Sequence, residues 1–398
     1  MANGPVHDHA RPSERDVWIT GIGIVSNLGE GRPAHLAALD GDSASQVDTD
    51  TFAPYPVHPA VPLEWGKQIP KKADQRQMEN WQKLGVYAAG LALDDAGLAR
   101  DNPLRQDMHM IVSAGGGERD YAVDGQILSG IAGAENPDAF LNERLMSDLR
   151  PTLFLAQLSN LLAGNIAIVH GVTGASRTFM GEEQAGVDAV RVAHARISAG
   201  QGDIFLVGGA YNAERPDALL IYELGGYLWT EHYASVWDRP GEGGGFILGS
   251  GAAFLVLEAR EHALARGATP LSVLRTVASS QPRRHPGSVG SSVEKLWSEG
   301  AKGFRGIGGA VFSGATGIAG ITEEERGSLT KLVPQIPVHA TGDLFGNTLE
   351  AQFPLGLALA TTALEAGRLH QAVVTSVGHK RGEGVALLEA VPNGGRAV

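Results

Sequence analysis

A chain of 398 residues with 43% hydrophobic content and no cysteine is long enough for two domain-sized units or one large layered unit. The missing cysteines remove disulfides, thiolate metal sites and every thiol nucleophile at once. A net charge of -12 argues against nucleic acid or an anionic membrane as the main partner, because binding phosphate requires clustered Lys and Arg.

Residues 1–15 read as a polar, Pro-containing tail without an apolar leader segment, and no later stretch reaches 18 uninterrupted apolar residues, so a soluble, cytoplasmic protein with no membrane span is expected. "VWITGIGIVSNLG" (17–29) reads as a buried strand running into a Gly-rich turn, and 48–77 reads as a surface loop rich in Pro. A helix follows at 81–98, then a strand in "MHMIVSAGGG" (108–117). Helices at 158–171 and 185–200 lead to the buried strand "GDIFLVGGA" (202–210), and "GGGFILGSGAAFLVLEARE" (243–261) gives two further strands around a Gly turn. From about residue 270 the succession restarts: strands at 271–279, 308–314, 336–340, 371–378 and 383–390, with helices at 291–301, 322–333 and 350–367 between them. This rhythm predicts an α/β chain of two similar halves, 16–265 and 266–398, with mixed, mostly parallel sheets. The 54 glycines do not form a phosphate loop, since no run ends in Lys-Ser/Thr and no GxGxxG sits between a strand and a helix; close backbone packing is the better reading.

Several segments, taken together and in order, resemble the β-ketoacyl carrier-protein synthases of the thiolase superfamily. They are "VWITGIGIVSNLG", "LLAGNIAIVHGVTGAS" (161–176), "AGQGDIFLVGGA" (199–210), "WDRPGEGGGFILGSGAAFLVLEARE" (237–261) and "ATGDLFGNTLEA" (340–351). The resemblance implies a duplicated thiolase-like fold layered α-β-α-β-α. It also implies chemistry in which a Cys at a helix N-terminus carries the acyl group, while two His and a Lys serve the decarboxylating substrate.

Counting through the family motifs, the Cys position falls on Glu183, with Gln184 as the alternative if the turn slips. The first His falls on Gly314 or Ala315, the second on Asp343, and the Lys on Val338. The acyl-gate loop becomes "GHKRGEG", Gly378 to Gly384, with His379 its one histidine. The matched catalytic side chains are thus all replaced, and no catalytic residue, cofactor or metal is expected.

"GEEQAGVDA" (181–189) resembles the motif of chain-length factors, ketosynthase-like subunits that have lost the Cys and pair with an active ketosynthase. That resemblance implies, as partners, an active ketosynthase or a second copy of the chain, an acyl carrier protein and an acyl chain. The alternatives are an enzyme built on Glu183, Asp343 and His379, or a homodimeric acyl-chain or carrier-protein binder. Arg177 and Asp343 are expected close to Glu183, as an ion-pair partner and a like charge respectively. Phe179 and Met180, on the strand segment 174–181, are expected to reach a partner across a paired sheet edge.

Overall fold

The structure, a computed structural model, describes residues 15–148 and 157–391; residues 1–14 of the expected tail and the last seven residues of the second half lie outside the described residues. Ten strands form the main path of one mixed sheet: β1 Val17–Ser26, β2 His109–Ser113, β3 Ser176–Phe179, β4 Ile204–Tyr211, β5 Gly251–Ala259, β6 Ser272–Ser280, β7 Gly309–Gly314, β8 Val338–Ala340, β9 Gln371–Val377 and β10 Glu383–Glu389. Their spatial order is β8-β7-β9-β10-β6-β1-β5-β4-β2-β3.

The duplication is visible in that order. Numbered within its own half, each set of five strands runs 3-2-4-5-1 from its outer edge inward. Antiparallel pairing of Val17–Ile19 with Ser272–Leu274 joins the two sets. Parallel pairs occur among the outer three strands of each half, and the inner pairs are antiparallel. In the second half the short connection from β9 to β10 enforces this: residues 378–382 are too few for a crossover helix, so these two strands can only form a hairpin.

Two helices in equivalent places fill the centre: α1 Glu183–Ser198, between β3 and β4, and α2 Gln352–Glu365, between β8 and β9. From Gln352 to Leu364 every residue of α2 is buried, consistent with a sequence that is small or apolar on all sides. The two helices approach closely at Gly186, where an added Cβ would lie 2.7 Å from the Glu350 carbonyl oxygen and 2.8 Å from Pro354. A single apolar cluster includes Ile19, Phe205 and Leu255 from the first half and Phe312, Val374 and Leu388 from the second, so one core spans both.

The reading of glycine as a packing residue holds on β1. An added Cβ at Gly23 would lie 2.0 Å from the Ala88 carbonyl oxygen of the helix Asn80–Asp95, so only Gly permits that contact. The 48–77 loop contains more structure than expected: Val57–His58 pairs with Leu248–Gly249, and both residues are buried. Among the described residues, no helix is long and apolar enough to cross a membrane.

Candidate functional site

Strand β3 ends at Phe179, and the chain must turn sharply to enter α1. Gly181 takes φ 131° and Glu182 takes φ 58°, ψ -138°, a conformation that costs a non-Gly residue about 1–3 kcal/mol. The strained turn directs the Glu182 N–H to Oε1 of Glu350 at 3.2 Å. It also sets Glu183 as the first residue of α1, where the helix dipole favours a negative charge.

Glu183 is 1% exposed. Asn347 donates from Nδ2 to its Oε1 at 3.0 Å, and His379 Nδ1 stands 3.1 and 3.0 Å from its two oxygens. On the other side of the imidazole, Nε2 lies 3.5 Å from Glu182 Oε1, which Lys380 Nζ also approaches at 3.4 Å. The rings of Tyr222, Tyr227 and Phe246 meet His379 at 4.9–5.5 Å between centroids, walling the pair from water.

Burial on its own would lower the His379 pKa, but the charge of Glu183 and the hydrogen bonds to Glu182 and Glu183 outweigh it and hold the imidazolium up to about 9. Glu182 is likewise opposed by burial, yet His379 and Lys380 carry it below the usual carboxylate range. Burial pushes Glu350 up to about 7, with repulsion from Glu183 and Glu182 adding to the rise against its backbone hydrogen bonds. The site therefore holds a buried ion pair beside a carboxyl whose pKa burial and like charge raise toward neutrality.

The hairpin 378–382 closes over this arrangement. Gly378 N–H donates to Gly382 O at 2.8 Å, Arg284 donates to Gly378 O at 2.7 Å, and Gln184 packs beneath Gly382. Outside it lies a cavity of about 520 Å³ bordered by Tyr227, Arg284, His285, Ile321, His379 and Lys380.

Of the residues singled out from sequence, Glu183, His379 and Gly378 come together, and Gln184 is buried beside them. Asp343 does not join them: its carboxylate accepts from Ser235 Oγ at 2.8 Å and Val236 N–H at 2.7 Å, with Arg239 at 3.8 Å. Asn347 stands against Glu183 instead. The short helix Thr341–Phe345 occupies the expected turn, and Gly346, at φ 72°, turns the chain four residues later than the motif count predicts. Gly346-Asn347 repeats the glycine-then-polar pattern of Gly342-Asp343 and was the available signal.

Ala315 is buried with Val236 and Ala340, Gly314 ends β7 with no room for a side chain beside Thr375 O, and Val338 lies on the outer strand β8. Arg177 is exposed and lies over the Phe179 ring at 5.9 Å rather than pairing with Glu183. Phe179 packs inward on the core, whereas Met180 is 63% exposed. Sequence reading missed Asn347, Glu350 and Lys380 as members of the site.

Residues 14–263 match the family model described as the N-terminal domain of beta-ketoacyl synthase. Among curated relatives, the chain is 26% identical over 266 residues to 3-oxoacyl-[acyl-carrier-protein] synthase 2 of Vibrio cholerae, covering 64% of this chain and 61% of the relative. It is 27% identical over 261 residues to the tetracenomycin polyketide synthase ketoacyl synthase beta subunit of Streptomyces glaucescens, covering 63% and 60%. The matched region thus spans about three fifths of each relative. The solved ishigamide ketosynthase/chain length factor shares the fold at a TM-score of 0.78 and 21% identity, over 96% of this chain and 100% of that one.

Proposed function

The chain belongs to the β-ketoacyl synthase family of fatty-acid and polyketide synthesis, and from that premise we propose that it is a condensation-deficient subunit of the chain-length-factor kind, pairing with an active ketosynthase. One observation carries the reading: the residue that begins the central helix is Glu183, with its oxygens held by Asn347 and His379. An acyl group on a carboxylate would be a mixed anhydride, open to hydrolysis, and the chain has no thiol to offer in its place. The likeness to a ketosynthase/chain length factor and to a ketoacyl synthase beta subunit supports the same role.

Contact with the partner would run along β3. This strand is at the end of the sheet, has one side unpaired among the described residues, and is followed by the exposed Met180. An acyl carrier protein and the growing acyl chain would then be ligands of the pair. Co-expression with Cys-containing ketosynthases tests the proposal: a stable one-to-one complex that condenses acyl and malonyl carrier-protein substrates, with an inert lone chain, is the expected result. Robust condensation by the lone chain would reject it.

A second reading, an enzyme using non-standard residues, is favoured by the direct contact of Glu183 with His379. It requires Glu183→Gln to abolish an activity of the lone chain, whereas the subunit reading has no such activity to lose.

A further inference from the structure

We propose that β3 takes as its partner an edge strand that sets an Asp or Glu carboxylate against Arg177, and that Arg177 turns away a second copy of this chain. Arg177 is exposed and sits second in a four-residue strand whose outer side is unpaired among the described residues. Among those residues it has no ion-pair partner, and it touches only the Phe179 ring. In a chain of net charge -12, a solvated cation at this edge runs against the prevailing sign. An incoming acid would complete it.

Strand register fixes the face on which Arg177 stands. Arg177 pairs across with Ile111 of β2, and Thr178 with Val112. Ile111 belongs to the apolar cluster that includes Val187 and Val190 of α1, whereas Val112 belongs to the cluster built on the helix Asn80–Asp95. Side chains alternate along a strand, so Arg177 and Phe179 share the α1 face, in keeping with the guanidinium 5.9 Å from the Phe179 ring centroid.

A second copy pairing antiparallel on this edge would be related by a two-fold axis normal to the sheet, which keeps each side chain on its own face. Residues opposite one another share a face, so Arg177 can meet only itself or a residue an even number of positions away. Two registers keep three of the four strand residues paired, one centred on Arg177 and one on Thr178. The first sets the two arginines directly opposite, with Cβ atoms about 4.5–5.5 Å apart. The second makes them diagonal neighbours at about 7–8 Å, each facing a Phe179 ring that its own Arg177 already covers. Both arrangements repel, since both lie within the Debye length of about 8 Å at physiological salt. A carboxylate in either place attracts instead.

A charge on an edge strand can also be a plain guard against aggregation. The border of β3 argues for use: Met180, directly after the strand, is 63% exposed and Leu158 is 48% exposed. Ser159 Oγ–H donates to Met180 Sδ at 3.0 Å, which brings these two side chains into one apolar border beside the edge. A guard alone would need no such border.

This assignment rests on the partner-subunit reading only for β3 as the contact edge, and its test needs no ketosynthase. Parent chain, Arg177→Glu and a one-to-one mixture of the two are compared at equal total concentration by sedimentation equilibrium, in low salt and in about 1 M sodium chloride. The glutamate copy stands in for the partner strand, because either register then sets Glu against Arg. The mixture should dimerise at least about 5-fold more tightly than either protein alone, and the difference should shrink in high salt. Arg177→Gln, which carries neither charge, should dimerise with intermediate strength. A parent dimer as tight as the mixture, a mixture as monomeric as its components, or an Arg177→Gln dimer no tighter than the parent would each overturn the assignment. The partner-subunit reading fails on a different result, condensation by the lone chain.

Discussion

Replacing His379 with Ala removes the principal cation facing Glu183 and leaves that carboxylate buried with Asn347 as its remaining neutral donor. Breaking a buried pair in this way typically costs about 3–5 kcal/mol, because the surviving charge has lost water and partner together. Loss of the ring contacts with Tyr222, Tyr227 and Phe246 adds to the cost. Unfolding entropy is about 2 cal/mol/K per residue, so for a chain of 398 residues the melting temperature should fall by about 4–6 °C. The assay is thermal and urea denaturation near pH 7.5, run on the parent, His379→Ala, Glu183→Gln and the double variant. Since Glu183→Gln removes the stranded charge, adding it to His379→Ala should recover part of the loss, giving a coupling of about 1–3 kcal/mol. A His379→Ala protein within 1 °C of the parent, or strictly additive variants, would refute the buried pair.

Acid should weaken the protein through three other histidines. Burial lowers His35 and His170 to about 4 and His58 to about 3, so each folded-state pKa lies below the unfolded value near 6.5. Their contribution is therefore intact above about pH 6.5 and is lost as pH falls toward 4; urea midpoints that stay flat between pH 7 and 5 would contradict this. Gly23→Ala should cost at least about 3 kcal/mol or prevent soluble expression, given the 2.0 Å approach of its Cβ to a backbone oxygen; a parent-like melt would show that the helix can move aside. Met180→Asp should leave the lone chain's melt unchanged, since the side chain is largely exposed, yet reduce complex formation with a ketosynthase in size-exclusion chromatography. An undiminished complex would remove β3 from the proposed interface.

Strands and helices with strong apolar patterns were readable because burial on one or both faces leaves its mark in residue type. β1, β4 and α2 are examples, and the five strands expected after residue 270 are all present. Glu183 was readable because fixed-length segments on both sides lead to it. Asn347 was not, because spacing along a motif carries no information about where a short helix displaces the turn, and Asp343 offered a plausible polar side chain at the counted position. Glu350 and Lys380 were hidden for another reason: their roles come from contacts across more than 150 residues of chain. The gate-loop reading did single out His379, but its partner could be named only once the two segments met.

The repeated strand order leaves the sheet with two outer edges, β3 at one end and β8 at the other. Were both free to recruit a neighbour, copies could add at each end and propagate as an open filament instead of stopping at two. The ends are unequal. β8 has only three residues and follows Pro337, which has no N–H to offer an incoming strand, so it presents little backbone on which to extend. β3 has four residues, none of them proline. In the proposed complex, pairing through β3 alone about a two-fold or pseudo-two-fold axis would use up the edge it depends on, so growth would terminate after one addition. The bluntness of β8 would then be a condition for the proposed complex to stay finite.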